Sequence, residues 1–168
     1  MMTLDLKHRA LLDEAQRRGQ PDTAAMRLCF EVLSLAAAID RACADRLAPH
    51  GLSEGKFVVL MLLRDLAEGL SPHELAERAG VARATITGLL DGLERQGLLA
   101  RRRDRDDRRK LTVRLTPAGQ ALAARLFDEH TAWIASLFAG FTGEDRAALS
   151  RLLEIGRRMI DAGASPSP

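Results

Sequence analysis

A chain of 168 residues with 46% hydrophobic and 29% charged residues has the size and balance of one globular domain, or of one domain with an appendage. Aromatics are only 4% and tyrosine is absent, so the core must come from Leu, Ala, Ile and Val, a mixture led by strong helix formers. No apolar run approaches the ~18 residues a membrane span requires, the N-terminus is too charged for a secretory signal, and Cys29 and Cys43 form neither a disulfide framework nor a zinc site. Together these features predict a cytoplasmic chain.

Charge is unevenly placed. Residues 1–70 carry 9 Lys/Arg against 10 Asp/Glu, and residues 117–168 carry 5 against 6. Residues 71–116 carry 11 against 7, and within them Arg95 to Arg114 holds nine basic residues and three acidic ones. A near-neutral protein with one dense basic segment has a localised anion-binding surface, for which nucleic acid is the leading candidate. The competing reading is a solvated charged hairpin.

In chain order, residues 1–21 read as an N-terminal extension, with a short helix over Leu4–Arg17 that nothing obliges to pack. Gly19-Gln20-Pro21 ends it. Asp22 or Thr23 caps a long helix to about Leu47, with Leu28, Val32, Leu35, Ile39, Ala42 and Leu47 in one apolar stripe. After Pro49-His50-Gly51, Ser53 caps a helix whose centre, Phe57 to Leu63, is apolar almost all round and therefore predicted to be buried. Ser71-Pro72-His73-Glu74 has the residues of a capping box with Pro in the first turn, and Gly80 stops that helix early. A second helix follows from about Ala82 to Gln96, so the pair forms a helix-turn-helix. Period-two alternation of Leu111, Val113 and Leu115 with polar residues, opposite Leu98–Arg102, predicts a β-hairpin with a charged tip. Thr116-Pro117 starts a long helix to about Phe138, and Thr142-Gly143-Glu144-Asp145 starts a last one. The fold class is mainly α with a small β-hairpin wing: a winged helix-turn-helix at 51–116, helices at 22–50 and 117–162 suited to dimerisation, and a disordered tail at 163–168.

This constellation resembles the MarR family of bacterial transcriptional regulators. The carrying residues are Leu75 to Val81, Arg83-Ala84-Thr85-Ile86-Thr87, Leu93 to Leu99, and above all Asp107-Arg108-Arg109 followed by Val113-Arg114-Leu115-Thr116-Pro117-Ala118-Gly119. The resemblance spans roughly residues 25–162, and the run around Arg27-Leu28-Cys29 is similar to the branch that represses multidrug efflux pumps. Two departures stand out. Ala82 occupies the place where Ser or Thr commonly caps the recognition helix, and Gly88 replaces a larger polar or basic residue.

Double-stranded DNA is the expected partner. A helix entering the major groove reads base edges with its N-terminal residues, here Arg83, Ala84, Thr85 and Thr87. Ser71 and His73 open the preceding helix, whose free N–H groups suit a phosphate, with His73 ranked as a bystander. Arg105 is the candidate for a minor groove, with Arg103, Arg108 and Arg109 near phosphates. Asp107 is expected to pair with an arginine across the hairpin, such as Arg102, and so to orient the tip. One recognition helix reads few base pairs, so a homodimer on a palindromic operator follows. Leu126, Phe127, Trp133, Leu137, Phe138 and Phe141 supply apolar surface for it.

The resemblance also implies a pocket for a small aromatic or phenolic ligand, to which this chain would contribute Ile39, Arg46, His50, Phe57 and Met61. The rival sensing mode is cysteine oxidation, though Cys29 and Cys43 sit ~21 Å apart along one helix and cannot pair within a chain. A dimeric helix-turn-helix module that does not read DNA is the remaining alternative. No phosphate-binding loop, nucleophile elbow or metal-ligand spacing among His8, His50, His73 and His130 points to an enzyme, a metal or a cofactor.

Overall fold

Asp22 accepts a hydrogen bond from the Ala25 amide at 2.8 Å, which places the start of the longest helix where its capping residue stands. In the computed structural model, which describes residues 4–103 and 111–163, the order is α1 (Leu6–Arg17), α2 (Thr23–Leu47), a 3-10 turn (Ala48–His50), α3 (Glu54–Arg64), α4 (Pro72–Ala79), α5 (Arg83–Arg95), β1 (Leu99–Arg103), β2 (Leu111–Leu115), α6 (Pro117–Leu137) and α7 (Gly143–Asp161). The backbone divides into two compact units, one ending at Gln120 and the other beginning at Ala121. No described helix is long and apolar enough to cross a membrane.

The core of the first unit gathers Leu47 and Leu52 with Phe57, Val59, Leu60 and Leu63 of α3, Leu75 of α4, Ile86, Leu90 and Leu93 of α5, and Val113 of β2, all buried. α3 contacts α2, α4, α5 and β2, which accounts for its almost continuous hydrophobicity. β1 and β2 pair antiparallel from Leu99↔Leu115 to Arg103↔Leu111, and Leu70 adds an isolated bridge to Val113 on the far side. Gly119 is required by close approach. A Cβ there would lie 1.9 Å from the Leu98 carbonyl oxygen, so only glycine lets the first turn of α6 abut the strand entry.

The N-terminal extension, read from the sequence as a short helix that nothing obliges to pack, forms α1. It packs on α2 with His8, Leu12 and Ala15 buried, and the His8 ring stacks on Phe30 at 4.6 Å between centroids. The α2 stripe behaves differently from a core stripe: of its members only Leu47 is buried, while Leu28, Val32 and Leu35 face outward. In the second unit Thr142 and Asp145 close a full capping box at the head of α7, and Arg146 donates to the Phe138 carbonyl at 3.2 Å across the corner from α6. α7 buries none of its residues and leaves Leu152, Leu153, Ile155, Met159 and Ile160 exposed. Of the aromatic and leucine set predicted for dimerisation, Leu126 and Trp133 are buried within the chain, whereas Phe127, Leu137 and Phe141 remain exposed.

Candidate nucleic-acid interface

The helix-turn-helix is built by local chemistry. Ser71 Oγ accepts from the Glu74 amide at 3.2 Å, and Glu74 Oε2 accepts from the Ser71 amide at 2.8 Å, which fixes the first turn of α4. The hydrogen bonds from the Ser71 backbone and side chain hold the Glu74 carboxyl below its ordinary range. Ser71 was expected at a phosphate. Its hydroxyl donates to Glu74 at 2.7 Å, so at the head of α4 the residue also serves as the cap. Gly80 ends the helix in the left-handed conformation, φ +66°, and α5 begins three residues later behind Ala82, whose side chain makes no capping bond.

Arg83, Ala84, Thr85, Thr87 and Gly88 are all exposed along the first two turns of α5, while Ile86 and Leu90 turn into the core. A Cβ at Gly88 would meet nothing within 4 Å, so that position is open. Gly92 has a different explanation: it is buried beneath the Lys56 side chain, whose Cε would lie 2.8 Å from an added Cβ. Thr87 Oγ1 donates to the Arg83 carbonyl at 2.9 Å, which spends its proton inside the helix and leaves the methyl and lone pairs outward.

Arg83 does not stand alone. Its Nη2 lies 3.4 Å from His73 Nδ1, while His73 Nε2 lies 3.4 Å from Glu77 Oε1. A guanidinium has only donors, so in this contact Nδ1 is the acceptor, and Nε2 is the nitrogen left to donate toward Glu77. His73, ranked as a bystander from the sequence, therefore links α4 to the leading arginine of α5. These residues line an open groove of about 710 Å³ with Glu68 to Pro72, Ile86, Leu111 and Thr112. The concavity is bounded by the head of α4, the face of α5 and the start of β2.

The wing is fastened to α5 by a residue that sequence reasoning passed over. Arg101 Nη2 donates to Asp91 Oδ1 at 2.6 Å and lies 3.4 Å from the Thr87 carbonyl oxygen, while Nη1 is 3.4 Å from Glu94 Oε2. The Arg101 amide is also 3.4 Å from Glu94 Oε1. The two carboxylates of the recognition helix, which would repel a phosphate backbone, are thus neutralised from the wing. The only available signal in the sequence was the acidic pair Asp91 and Glu94 on a helix otherwise suited to an anion. On β2, Arg114 donates to Glu68 Oε2 at 2.9 Å and to the Glu68 carbonyl at 3.0 Å, which ties the wing to the loop after α3.

Arg102 points away from α5 and has no ion-pair partner among the described residues. Arg105, Asp107, Arg108 and Arg109, together with the Arg103 side chain, lie outside the described residues, so the proposed pairing of Asp107 with Arg102 lies there as well.

A family model described as the MarR family matches residues 52–111, from the head of α3 through the wing. The chain is 34% identical over 148 residues to the HTH-type transcriptional repressor YetL of Bacillus subtilis (strain 168), covering 88% of this chain and 89% of that one. The chain belongs to the MarR family. Solved structures share its fold: Streptococcus pneumoniae FabT in complex with DNA has a TM-score of 0.69 at 20% identity, covering 83% of this chain and 99% of that one. S. aureus MepR in its DNA complex has a TM-score of 0.67 at 18% identity, covering 80% and 96%. Within this MarR-family chain, Arg83, Ala84, Thr85, Thr87 and Gly88 at the head of α5 are exposed.

The residues expected to line a ligand pocket fall on α2, the 3-10 turn and α3. Phe57 is buried, Ile39, His50 and Met61 are half-buried, and Arg46 is exposed with Nη1 donating to the Ala42 carbonyl at 3.2 Å. Cys29 is exposed and Cys43 half-buried. Burial, reinforced by Glu54 and Asp40, pushes the Cys43 thiol up, which disfavours the thiolate that oxidation requires.

Proposed function

We propose that this MarR-family chain is a DNA-binding transcriptional repressor that acts as a homodimer on a palindromic operator and is released by a small aromatic or phenolic ligand. The observation that carries the reading is the joint presentation of Arg83 and the wing. The base-reading head of α5 is exposed, its arginine is held by His73, and its own carboxylates are neutralised by Arg101. A helix so prepared reads base edges through Arg83, with Ala84, Thr85 and Thr87 beside it.

Dimerisation is supported by apolar surface that a monomer rarely leaves uncovered. Leu28, Val32, Leu33 and Leu35 of α2 are 45–62% exposed. In the second unit, Ile134 of α6 and Phe138 just beyond its end, with Leu149 and Leu153 of α7, line an open groove of about 660 Å³. YetL is by name a repressor, and the DNA-bound FabT and MepR show that this fold seats on DNA in those proteins.

Ligand response rests on the resemblance and on the mixed character of Ile39, Arg46, His50, Phe57 and Met61, an apolar set with a cation to meet a carboxylate. Release would follow from a shift between dimer shapes with different spacings of the two α5 helices.

The test is fluorescence anisotropy on DNA from upstream of the gene against scrambled DNA, at several salt concentrations, with sedimentation of the same sample. Sequence-dependent binding by a dimer, weakening steeply with salt and reversed by one member of a panel of aromatic acids, supports the whole reading. Dimerisation without sequence-dependent binding in a genome-wide selection would instead establish an interaction module.

A further inference from the structure

Arg83 and Thr87 stand four residues apart on one flank of α5, and the hydrogen bond between them decides what kind of base edge Thr87 can meet. Thr87 Oγ1 lies 2.9 Å from the Arg83 carbonyl oxygen. A carbonyl only accepts, so the hydroxyl donates, and threonine has no second proton to give. Thr87 is exposed and presents outward the remaining lone pair of Oγ1 with its methyl group. We propose that Thr87 is a polarity-selective base contact: in each half-site it accepts from an exocyclic amino group, adenine N6 or cytosine N4, and disfavours guanine or thymine at that place on the same strand. The proposal rests on the reading of α5 as the helix that enters the major groove.

The chemistry of the groove makes this a usable code. Each base pair carries one amino donor on its major-groove edge, on adenine or on cytosine, while guanine and thymine offer acceptors. An acceptor at a fixed height along the groove therefore distinguishes the amino base from its keto partner on the strand it faces. Arg83 has the opposite polarity, because a guanidinium only donates and suits guanine O6 and N7. Four residues advance ~6 Å along the helix axis, against about 3.4 Å per base-pair step. The half-site expected is a guanine with an adenine or cytosine one or two positions away.

Three features hold Thr87 to this role. Its β-branched side chain has few rotamers in a helix, and the one observed binds the carbonyl four residues back. Donating to a base would forfeit that bond. The turn that carries Thr87 is held from the wing, where Arg101 Nη2 lies 3.4 Å from the Thr87 carbonyl oxygen and 2.6 Å from Asp91 Oδ1. Thr87 and Arg83 also line the same groove, beside His73.

The experiment is selection of binding sites from random DNA by the full-length protein, wild type and Thr87→Val, followed by anisotropy on the selected site. Wild type should enrich an adenine or cytosine one or two positions from a guanine in each half-site. Thr87→Val keeps the shape and loses the acceptor, so it should lose that preference, retain the guanine, and bind the wild-type site about threefold to tenfold more weakly, the range for one neutral hydrogen bond. Thr87→Ser should keep the preference. The wild-type protein also tests the contact alone: purine in place of adenine, or 2-pyrimidinone in place of cytosine, removes only the amino group and should cost the same factor, with no added loss in Thr87→Val. A guanine-containing consensus that Thr87→Val leaves unchanged, an amino group removed without effect, or a wild-type preference for guanine or thymine at that position would each overturn this proposal and leave the DNA-reading helix in place. A wild-type protein that enriches no sequence would overturn both.

Discussion

Arg101 of the wing and Asp91 of the recognition helix are joined at 2.6 Å across two elements that no backbone hydrogen bond connects at that point. The guanidinium also serves Glu94 and the Thr87 carbonyl, and only 23% of its side chain is exposed. One side chain thus ties the wing to α5 and neutralises the carboxylates of the helix proposed to enter DNA. Replacing Arg101 with Ala is expected to lower DNA affinity at least tenfold and to cost about 0.5–1.5 kcal/mol of stability, since Asp91 and Glu94 are exposed and only the arginine is shielded. A double-mutant cycle with Asp91→Asn separates the two effects. Coupling of about 1 kcal/mol or more in chemical denaturation supports the tether, and additivity would reduce it to a surface pair without consequence.

Arg83 and His73 form a second such relationship, with different expected weights. Arg83→Ala should cost about 1–3 kcal/mol of operator binding and relax preference at one base pair, the signature of lost base-edge contact. His73→Ala removes only the acceptor that orients Arg83, so its loss should be several-fold smaller and should leave the preferred sequence unchanged. Competition anisotropy with single-base operator variants reads both. Equal losses across all sequences for Arg83→Ala would assign it to the phosphate backbone instead.

Ala82 has the extended backbone of a capping residue, φ −66° and ψ 152°, but no side-chain acceptor. Ala82→Ser should therefore stabilise the protein by about 0.5–1 kcal/mol by satisfying a free amide of α5. Denaturant midpoints measure it, and no gain would mean that the amides already have partners.

The boxes at Ser71/Glu74 and Thr142/Asp145 make a pH prediction. Both carboxyls are held below their ordinary range by hydrogen bonds, Glu74 from Ser71 and Asp145 from Thr142. A depressed folded-state pKa contributes stability that is present above the unfolded pKa and lost as pH falls through the folded value. Thr142→Ala should lower Tm by about 2–4 °C at pH 7 and by progressively less as the pH falls through the lowered titration range of Asp145, where the wild-type carboxylate itself takes up a proton. A pH-independent difference would show that the hydroxyl acts without its carboxylate.

Cys43 is expected to be a poor sensor. In a Cys29→Ser background its alkylation by iodoacetamide should be slower than that of free cysteine at pH 8 and should keep rising as pH increases further, because burial and the neighbouring carboxylates disfavour the thiolate. Mass spectrometry of timed samples gives the rate. Fast alkylation at neutral pH would reopen cysteine oxidation as a sensing mode.

Much of the fold was legible because its signals are local. Ser53, Ser71 and Thr142 mark helix starts through bonds to amides three residues on, and Gly80 marks a stop through its own backbone angle. The packing of α1 was not legible, since a short amphipathic helix does not announce its partner, and the stacking of His8 on Phe30 needs the turn at Gly19 to bring them together. The α2 stripe was legible as a stripe but not as an outward one, because periodicity records amphipathicity and not what covers it.

The sequence by itself determined the order of helices and strands, the basic segment, and the exposed head of α5, because caps, breakers and periodicity act within a few residues of chain. Tertiary structure alone decided that Arg101 rather than Arg102 meets the recognition helix, and that His73 holds Arg83. Strand alternation offers two faces without saying which one lies against α5. That choice is made by the burial of Val113 and Leu99 against the helical core, which turns one arginine inward to two carboxylates and its neighbour outward.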